Sequence, residues 1–90
     1  MCGRYMLHSD IEEILRHYGI TKGWGNYTWP MEVFPSHKVP VVVNTGEREL
    51  VPMKWGFPSP YRKGLIINSR GETVHSKPMF RRAFQQKRCI

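Results

Sequence analysis

An apolar stretch near the middle of the chain limits the possible folds more than any other feature. Residues 39–44 form a short run rich in β-branched side chains, and Asn44-Thr45-Gly46-Glu47 follows with the chemistry of a turn. Residues 49–55 read as a second strand, which can pair with the first as a hairpin. Pro52 lacks an amide hydrogen and therefore restricts this second strand to a sheet edge or a bulge.

Two helices and one further strand are predicted around this hairpin. Residues 9–18 read as a helix that begins at Ser9 or Asp10 and ends at Gly19, and its apolar face consists of Ile11, Ile14, Leu15 and Tyr18. Residues 65–67 read as a buried strand. A last helix over residues 77–86 is expected to start from Thr73 or Ser76. Residues 20–37 and 56–60 read as loops. We therefore expect an α+β fold that is mostly β, with flanking helices.

The charge of the chain favours a polyanionic partner. The 90 residues include 14 Lys and Arg against 7 Asp and Glu, a formal net charge of +7 at pH 7. A basic balance of this kind suits nucleic acid. The sequence has no apolar run long enough to span a membrane, and its first residues do not resemble a secretory signal. These features predict a cytoplasmic protein without a membrane partner.

The cysteines and histidines do not form a pattern typical of a disulfide framework or a metal site. Cys2 and Cys89 lie far apart in the sequence, and the four histidines have no ligand spacing. We therefore expect no disulfide, no metal and no cofactor.

Position 2 permits an unusual chemistry. Removal of Met1 would make Cys2 the N-terminal residue, with an α-amine and a thiol on adjacent carbons. In water an α-amine titrates at about 8 and a thiol at about 8.5, so a usable share of each kind of group is nucleophilic at neutral pH. Such a pair condenses with an aldehyde to an imine and then closes to a thiazolidine. The open form of an abasic deoxyribose presents an aldehyde of this kind.

Two other functions fit the same residues. N-terminal-nucleophile hydrolases use the α-amine as the base for a neighbouring thiol or hydroxyl, and they also need a free residue 2. A non-catalytic basic module that binds DNA would need no cysteine and would bind in a salt-sensitive way.

Several motifs in order resemble one family over essentially the whole chain. They are Met1-Cys2-Gly3-Arg4-Tyr5, Val33-Phe34-Pro35-Ser36, Val39-Pro40-Val41-Val42, Met53-Lys54-Trp55-Gly56-Phe57, Asn68-Ser69-Arg70-Gly71-Glu72-Thr73, Lys77-Pro78-Met79-Phe80-Arg81 and Arg88-Cys89-Ile90. The chain resembles the SOS response-associated peptidase (SRAP) family. The resemblance implies the mostly β SRAP-type fold and a sensor of abasic sites in single-stranded DNA.

The resemblance also implies roles for particular residues. Cys2 would remove Met1 autocatalytically and then form the thiazolidine crosslink, and Asn68 would help to hold the abasic sugar and the α-amine. Arg4 and Arg70 would contact phosphates, and Pro35 would lie near a bend in the bound strand. In the full-length form the protein would be a cysteine-dependent autopeptidase with the character of a DNA lyase. It would associate with the nucleoid during DNA damage.

The aromatic residues allow two interpretations. Trp24 and Trp29 could stack on bases or pack in the core, and we assign Trp55 to the core. Pro60 and Tyr61, in the loop before Asn68, are weaker candidates for DNA contacts.

The chain departs from the family pattern in two respects. Glu32 stands where the family usually has asparagine, which changes the local hydrogen bonding. The family's later Pro-Ala-x-Gly-Phe-Tyr-Glu-Trp segment and a later histidine do not occur in the chain. We therefore expect residues 1–90 to be the N-terminal part of one SRAP domain, incomplete without the C-terminal part. Its exposed strand edges could pair with a second copy.

Overall fold

The computed structural model describes residues 2–21 and 28–90, and the fold in this part is α+β and mostly β, as predicted. The elements in chain order are β1 (Tyr5–Met6), α1 (Ile11–His17), β2 (Glu32–Val33), β3 (Lys38–Asn44), β4 (Arg48–Lys54), β5 (Phe57–Pro58), β6 (Leu65–Ile66) and α2 (Arg81–Gln86). The strands form three antiparallel pairs, β1 with β2, β3 with β4, and β5 with β6. Trp24 falls outside the described residues.

The predicted hairpin is confirmed as the longest ladder in the described residues. Its register runs from Lys38 opposite Lys54 to Asn44 opposite Arg48. The turn between the strands is stabilised by the Asn44 side chain, whose Oδ1 accepts a hydrogen bond of 3.2 Å from the Gly46 amide. Turn residues of this kind commonly bond to the backbone two residues further along the chain.

The hairpin contains two prolines at directly opposed positions, Pro40 and Pro52. Val42 exchanges hydrogen bonds of 2.6 and 3.2 Å with Ile90, on the side of β3 away from β4. The backbone N–H and C=O groups of successive residues point to alternate sides of a strand. Pro40 lies two residues before Val42, so its backbone nitrogen also points away from β4. The missing amide hydrogens therefore cost the ladder no bond, which explains how both strands accommodate a proline.

Both faces of the hairpin carry apolar side chains. Val39 and Leu50 are 4% and 6% exposed, and the register places them on opposite faces of the sheet. The face with Leu50 borders an open groove of about 910 Å³, which also contacts α1. Its apolar lining includes Leu7, Ile14, Tyr18, Pro40, Val42, Leu50 and Ile90. Within the described residues the buried apolar core is small and consists of Ile20, Val33, Val39 and Leu50.

Helix α1 is shorter than predicted but ends as predicted. Asp10 is its N-cap, and its Oδ1 accepts a hydrogen bond of 2.8 Å from the Glu13 amide. At the other end Gly19 has φ +64°, and the Ile20 amide donates to the Leu15 carbonyl at 2.8 Å. This pattern is a Schellman motif, in which a left-handed residue satisfies the last helix carbonyls.

The prediction for the last helix was wrong at its start. Helix α2 begins at Arg81, and residues 71–76 form turns in which Ser76 bonds back to the Thr73 carbonyl instead of capping a helix. Pro78 explains the later start of the helix, because proline disfavours the helical conformation at the residue before it.

The described residues contain no helix with the length and apolar character of a membrane span.

Three short strands lie where loops were predicted or where no element was predicted. β1 and β2 pair with each other, and β5 pairs with β6 as Phe57 opposite Ile66 and Pro58 opposite Leu65. The glycine before β5, Gly56, has φ +116°, and a Cβ atom there would lie 2.8 Å from Cδ1 of Leu65. Only glycine fits this position without strain, because both the backbone angle and the space exclude a side chain.

We expect the substitution Gly56→Ala to lower the free energy of unfolding by about 1–3 kcal/mol, since the alanine would combine backbone strain with overpacking. Urea denaturation of the wild-type and variant chains measures the difference.

Gly46→Ala is the matched control, because Gly46 has φ +117° and a Cβ atom added there would meet only open space. It tests the backbone strain alone, so it should lower the free energy of unfolding by less than Gly56→Ala does. Equal losses for the two variants would contradict the close approach of Leu65.

Candidate functional site

The N-terminal segment is held in place by an antiparallel ladder with β2. Tyr5 lies opposite Val33, Met6 lies opposite Glu32, and the Leu7 amide donates to the Met31 carbonyl at 2.8 Å. Val33 is fully buried, with 0% exposure. Burial of a valine side chain contributes about 1.5–3 kcal/mol, so Val33 anchors the ladder to the core. The residues before Tyr5 therefore emerge from a fixed position.

Cys2 lies beside Asn68 although the two residues are 66 positions apart. The Asn68 side chain donates from Nδ2 to the Cys2 carbonyl oxygen at 3.0 Å. The Cys2 thiol is exposed, is not in a disulfide, and donates a weak hydrogen bond of 3.6 Å to the Arg4 carbonyl. The candidate nucleophile is therefore accessible, and its backbone is fixed by the predicted partner.

Arg4 contacts two residues of the neighbouring strand segment. Its Nη1 lies 3.1 Å from Oε1 of Glu32, and its guanidinium carbon lies 5.9 Å from the centre of the Phe34 ring. The ladder register, continued by one residue, places Arg4 opposite Phe34, so these are cross-strand neighbours. The guanidinium is thus held at the surface between Glu32 and Phe34, two residues along the chain from Cys2.

Pro35 lies in a tight turn directly after Phe34. The His37 amide donates to the Phe34 carbonyl at 3.2 Å, and Ser36 has φ +78°. These features indicate a type II turn, in which proline favours the second position and the third needs a positive φ. The turn is attached to the hairpin, because the Ser36 amide donates to the Trp55 carbonyl and the Trp55 amide donates to the His37 carbonyl.

Asn68 also lines a groove of about 430 Å³. The lining is largely apolar and includes Trp55, Phe57, Ile66, Val74, Phe80 and Phe84, with Lys87, Arg88 and Cys89 contributed by the C-terminal residues. Cys89 is therefore a second exposed thiol beside the groove of Asn68.

The structure brings together some of the predicted site residues and leaves others apart. Cys2, Arg4 and Asn68 form one connected cluster, and Pro35 follows Phe34, which contacts Arg4. Arg70 is exposed two residues after Asn68. In the described part of the chain no ion pair joins its side chain to Glu72.

The sequence interpretation missed Phe34 and Tyr5 as members of the site. A strand prediction at residues 5–6 and 32–33 would have placed both beside Arg4 and Cys2, but each strand has only two residues. Such short segments leave no periodic signal.

Trp55, which the sequence analysis assigned to the core, is half-buried and packs against the Tyr5 ring with a centroid distance of 5.4 Å.

Tyr5 has a perturbed acidity that reflects its surroundings. Partial burial of the phenol, followed by the nearby Cys2 thiol, raises the pKa of Tyr5 above its usual value of 10.0. Both effects have the same sign, because a buried phenolate is poorly solvated and an ionised thiol repels it. Among the described residues, no three His, Cys, Asp or Glu side chains form a group that could hold a metal ion.

We expect Cys2→Ser to lower the pKa of Tyr5, because it removes the neighbouring ionisable thiol, and to leave it above 10.0, because burial is the larger cause. A titration of phenolate absorbance, with Tyr5→Phe used to identify the Tyr5 signal, measures this pKa. Cys89→Ser serves as the control and should leave the pKa unchanged. A pKa that does not respond to Cys2→Ser would show that the thiol does not lie near Tyr5.

Comparison with known proteins places these features in a family. The model of the family described as SOS response associated peptidase (SRAP) matches residues 1–90. The chain is 35% identical, over 98 aligned positions, to the abasic site processing protein YoaM of Bacillus subtilis strain 168. It is 34% identical over 98 positions to the abasic site processing protein YoqW of Bacillus phage SPbeta. It is 33% identical over the same length to the abasic site processing protein YobE of Bacillus subtilis strain 168.

These alignments cover the whole chain but less than half of each relative. The aligned part is 43% of YoaM, 44% of the phage YoqW and 45% of YobE. No solved structure matches the chain. The family match extends over all 90 residues, and the chain belongs to the SOS response-associated peptidase family.

Proposed function

We propose that this chain captures abasic sites in single-stranded DNA by forming a thiazolidine at Cys2. The observation that carries the proposal is the exposed Cys2, whose carbonyl is held at 3.0 Å by Asn68. The relatives that align with the whole chain bear the name abasic site processing protein. We further propose that residues 1–90 supply the N-terminal part of one SRAP domain.

The reaction would begin with removal of Met1, which exposes the α-amine of Cys2. The amine attacks the aldehyde carbon of the open abasic sugar, and loss of one water molecule leaves an imine. The thiol sulfur then bonds to the same carbon, and its proton moves to the nitrogen. The product has one carbon bonded to both nitrogen and sulfur, so reversal requires two bonds to break. An internal cysteine has no adjacent amine and cannot form this ring.

Asn68 would position the reacting residue. Its Nδ2 holds the Cys2 carbonyl, and its Oδ1 on the same planar amide can accept a hydrogen bond from an amine or a sugar hydroxyl. A neutral amide can orient an amine without protonating it. This arrangement keeps the α-amine available as a nucleophile.

The surroundings of Cys2 suit a polyanionic strand. Arg4 is 66% exposed at its side chain, and Arg70 follows Asn68 at the surface. No Asp or Glu occurs between Glu49 and Glu72, whereas this stretch contains Lys54, Arg62, Lys63 and Arg70. Arginine pairs with two phosphate oxygens at once, so Arg4 and Arg70 would position the backbone without reading its sequence.

Two further features would accommodate bases and the bend of the strand. Pro35 forms a rigid turn next to Phe34, which contacts Arg4. The Tyr61 ring is 93% exposed and precedes Arg62 and Lys63, an arrangement that can combine base stacking with phosphate contacts.

The proposal predicts a covalent adduct with a single-stranded oligonucleotide that contains one abasic site. A chain that begins at Cys2 should give a band that survives a denaturing gel, and its intact mass should equal the sum of both partners less one water. A chain that retains a blocked Met1 should give no such band, because the nitrogen of Cys2 is then part of a peptide bond and is not a free amine. Sodium borohydride should not be needed to preserve the adduct, because the ring is already closed.

Two variants serve as controls. Cys2→Ser keeps the α-amine but removes the sulfur, so it should give an imine that is trapped only when sodium borohydride is added. Cys89→Ser removes the other exposed thiol, which lines the groove of Asn68, and it should react like the wild-type chain. No stable adduct from the chain that begins at Cys2 would contradict the proposal. Turnover of a small amide substrate in its place would support a hydrolase.

A further inference from the structure

Arg4 already has an anionic partner before any strand is bound. Oε1 of Glu32 lies 3.1 Å from Nη1 of the Arg4 guanidinium. Carboxylate and phosphate oxygens bind the same kind of guanidinium donor, so a phosphate that binds Nη1 of Arg4 must compete with Glu32 for it. The charge of Glu32 therefore affects what Arg4 can bind.

The ion pair between Arg4 and Glu32 can break at little cost in stability. The Arg4 and Glu32 side chains are 66% and 48% exposed, and exposed ion pairs of this kind contribute little to stability. The backbone of Glu32 lies within the β1–β2 ladder, and Arg4 directly precedes that ladder at Tyr5. Loss of the ion pair would leave the Arg4 guanidinium with its contact to the Phe34 ring, 5.9 Å from the ring centre.

From this geometry we propose that Glu32 competes with DNA phosphate for Arg4 and thereby weakens the binding of any strand before capture. The inference rests on the proposed function, because it assumes that a nucleic-acid strand reaches Arg4. The carboxylate acts as an internal substitute for phosphate. A covalent reaction at Cys2 does not require tight initial binding, so weaker initial binding has little effect on the yield of the crosslink. It also shortens the time for which strands without an abasic site stay bound.

Binding without reaction tests the competition. The probe is a fluorescently labelled oligothymidylate without an abasic site, and its anisotropy is measured against protein concentration in the Cys2→Ser background. The variant Glu32→Gln keeps the shape of the side chain and removes its charge. We expect it to lower Kd by about twofold to fivefold, the range that corresponds to the coupling of exposed ion pairs. We expect the slope of log K against log salt to become steeper by up to about 0.7, the contribution of one phosphate contact on a single strand.

The matched control is Glu12→Gln, which changes the net charge by the same amount on helix α1. Glu12 is exposed in the first turn of that helix. An equal effect of the two variants would show that net charge alone matters and would overturn the competition. The double variant Arg4→Gln, Glu32→Gln should bind no more tightly than Arg4→Gln, since the gain depends on the released guanidinium.

A second measurement separates binding from positioning. With abasic oligonucleotide and a chain that begins at Cys2, Glu32→Gln should lower the half-saturating concentration and leave the maximal rate of adduct formation unchanged. A change in the maximal rate alone would show that Glu32 orients Cys2, and would overturn the competition. If Kd is the same with and without Glu32→Gln while adducts still form, the competition fails and the proposed function stands. If no variant binds the probe and no adduct forms, both fail.

Discussion

A hydrogen bond between the Asn68 amide and the Cys2 carbonyl connects the two ends of the site across 66 residues of sequence. Without it the segment before β1 would be held from one side only, by the ladder to β2. With it the Asn68 side chain is joined to the backbone of Cys2, whose exposed thiol donates to the Arg4 carbonyl. The chemistry proposed for Cys2 depends on this connection, because an N-terminal residue has no preceding peptide bond to restrain its α-amine.

The scaffold beneath the site relies on backbone pairing more than on a deep core. Four apolar side chains are buried in the described residues, and one of them, Val33, anchors the strand opposite the N-terminal segment. The hairpin β3–β4 carries apolar residues on both faces, a pattern that is typical of strands covered on both sides. One of those faces borders the open groove of about 910 Å³ beside α1. The site therefore lies on short strands whose geometry is set by hydrogen bonds and by the turn after Phe34.

The features with a strong local signal could be predicted from the sequence. The β-branched run before Asn44 and the turn residues after it indicated the hairpin, and Gly19 indicated the end of α1. The two-residue strands β1, β2 and β5 could not be predicted, because pairing with partners elsewhere in the chain creates them and no periodicity marks them. The association of Cys2 with Asn68 rested on the family resemblance alone. The ion pair of Arg4 with Glu32 arises from the β1–β2 register, which the sequence does not reveal.

The most direct test of this account is the rate of adduct formation by Asn68→Ala in a chain that begins at Cys2, at saturating abasic oligonucleotide. The account predicts a rate about twofold to tenfold lower than that of the wild-type chain, the range expected for one neutral hydrogen bond. Asn44→Ala is the control, because it removes an amide whose bond lies within the hairpin turn, and it should react at the wild-type rate. Equal rates for Asn68→Ala and the wild-type chain would contradict the claim that Asn68 positions Cys2 for reaction.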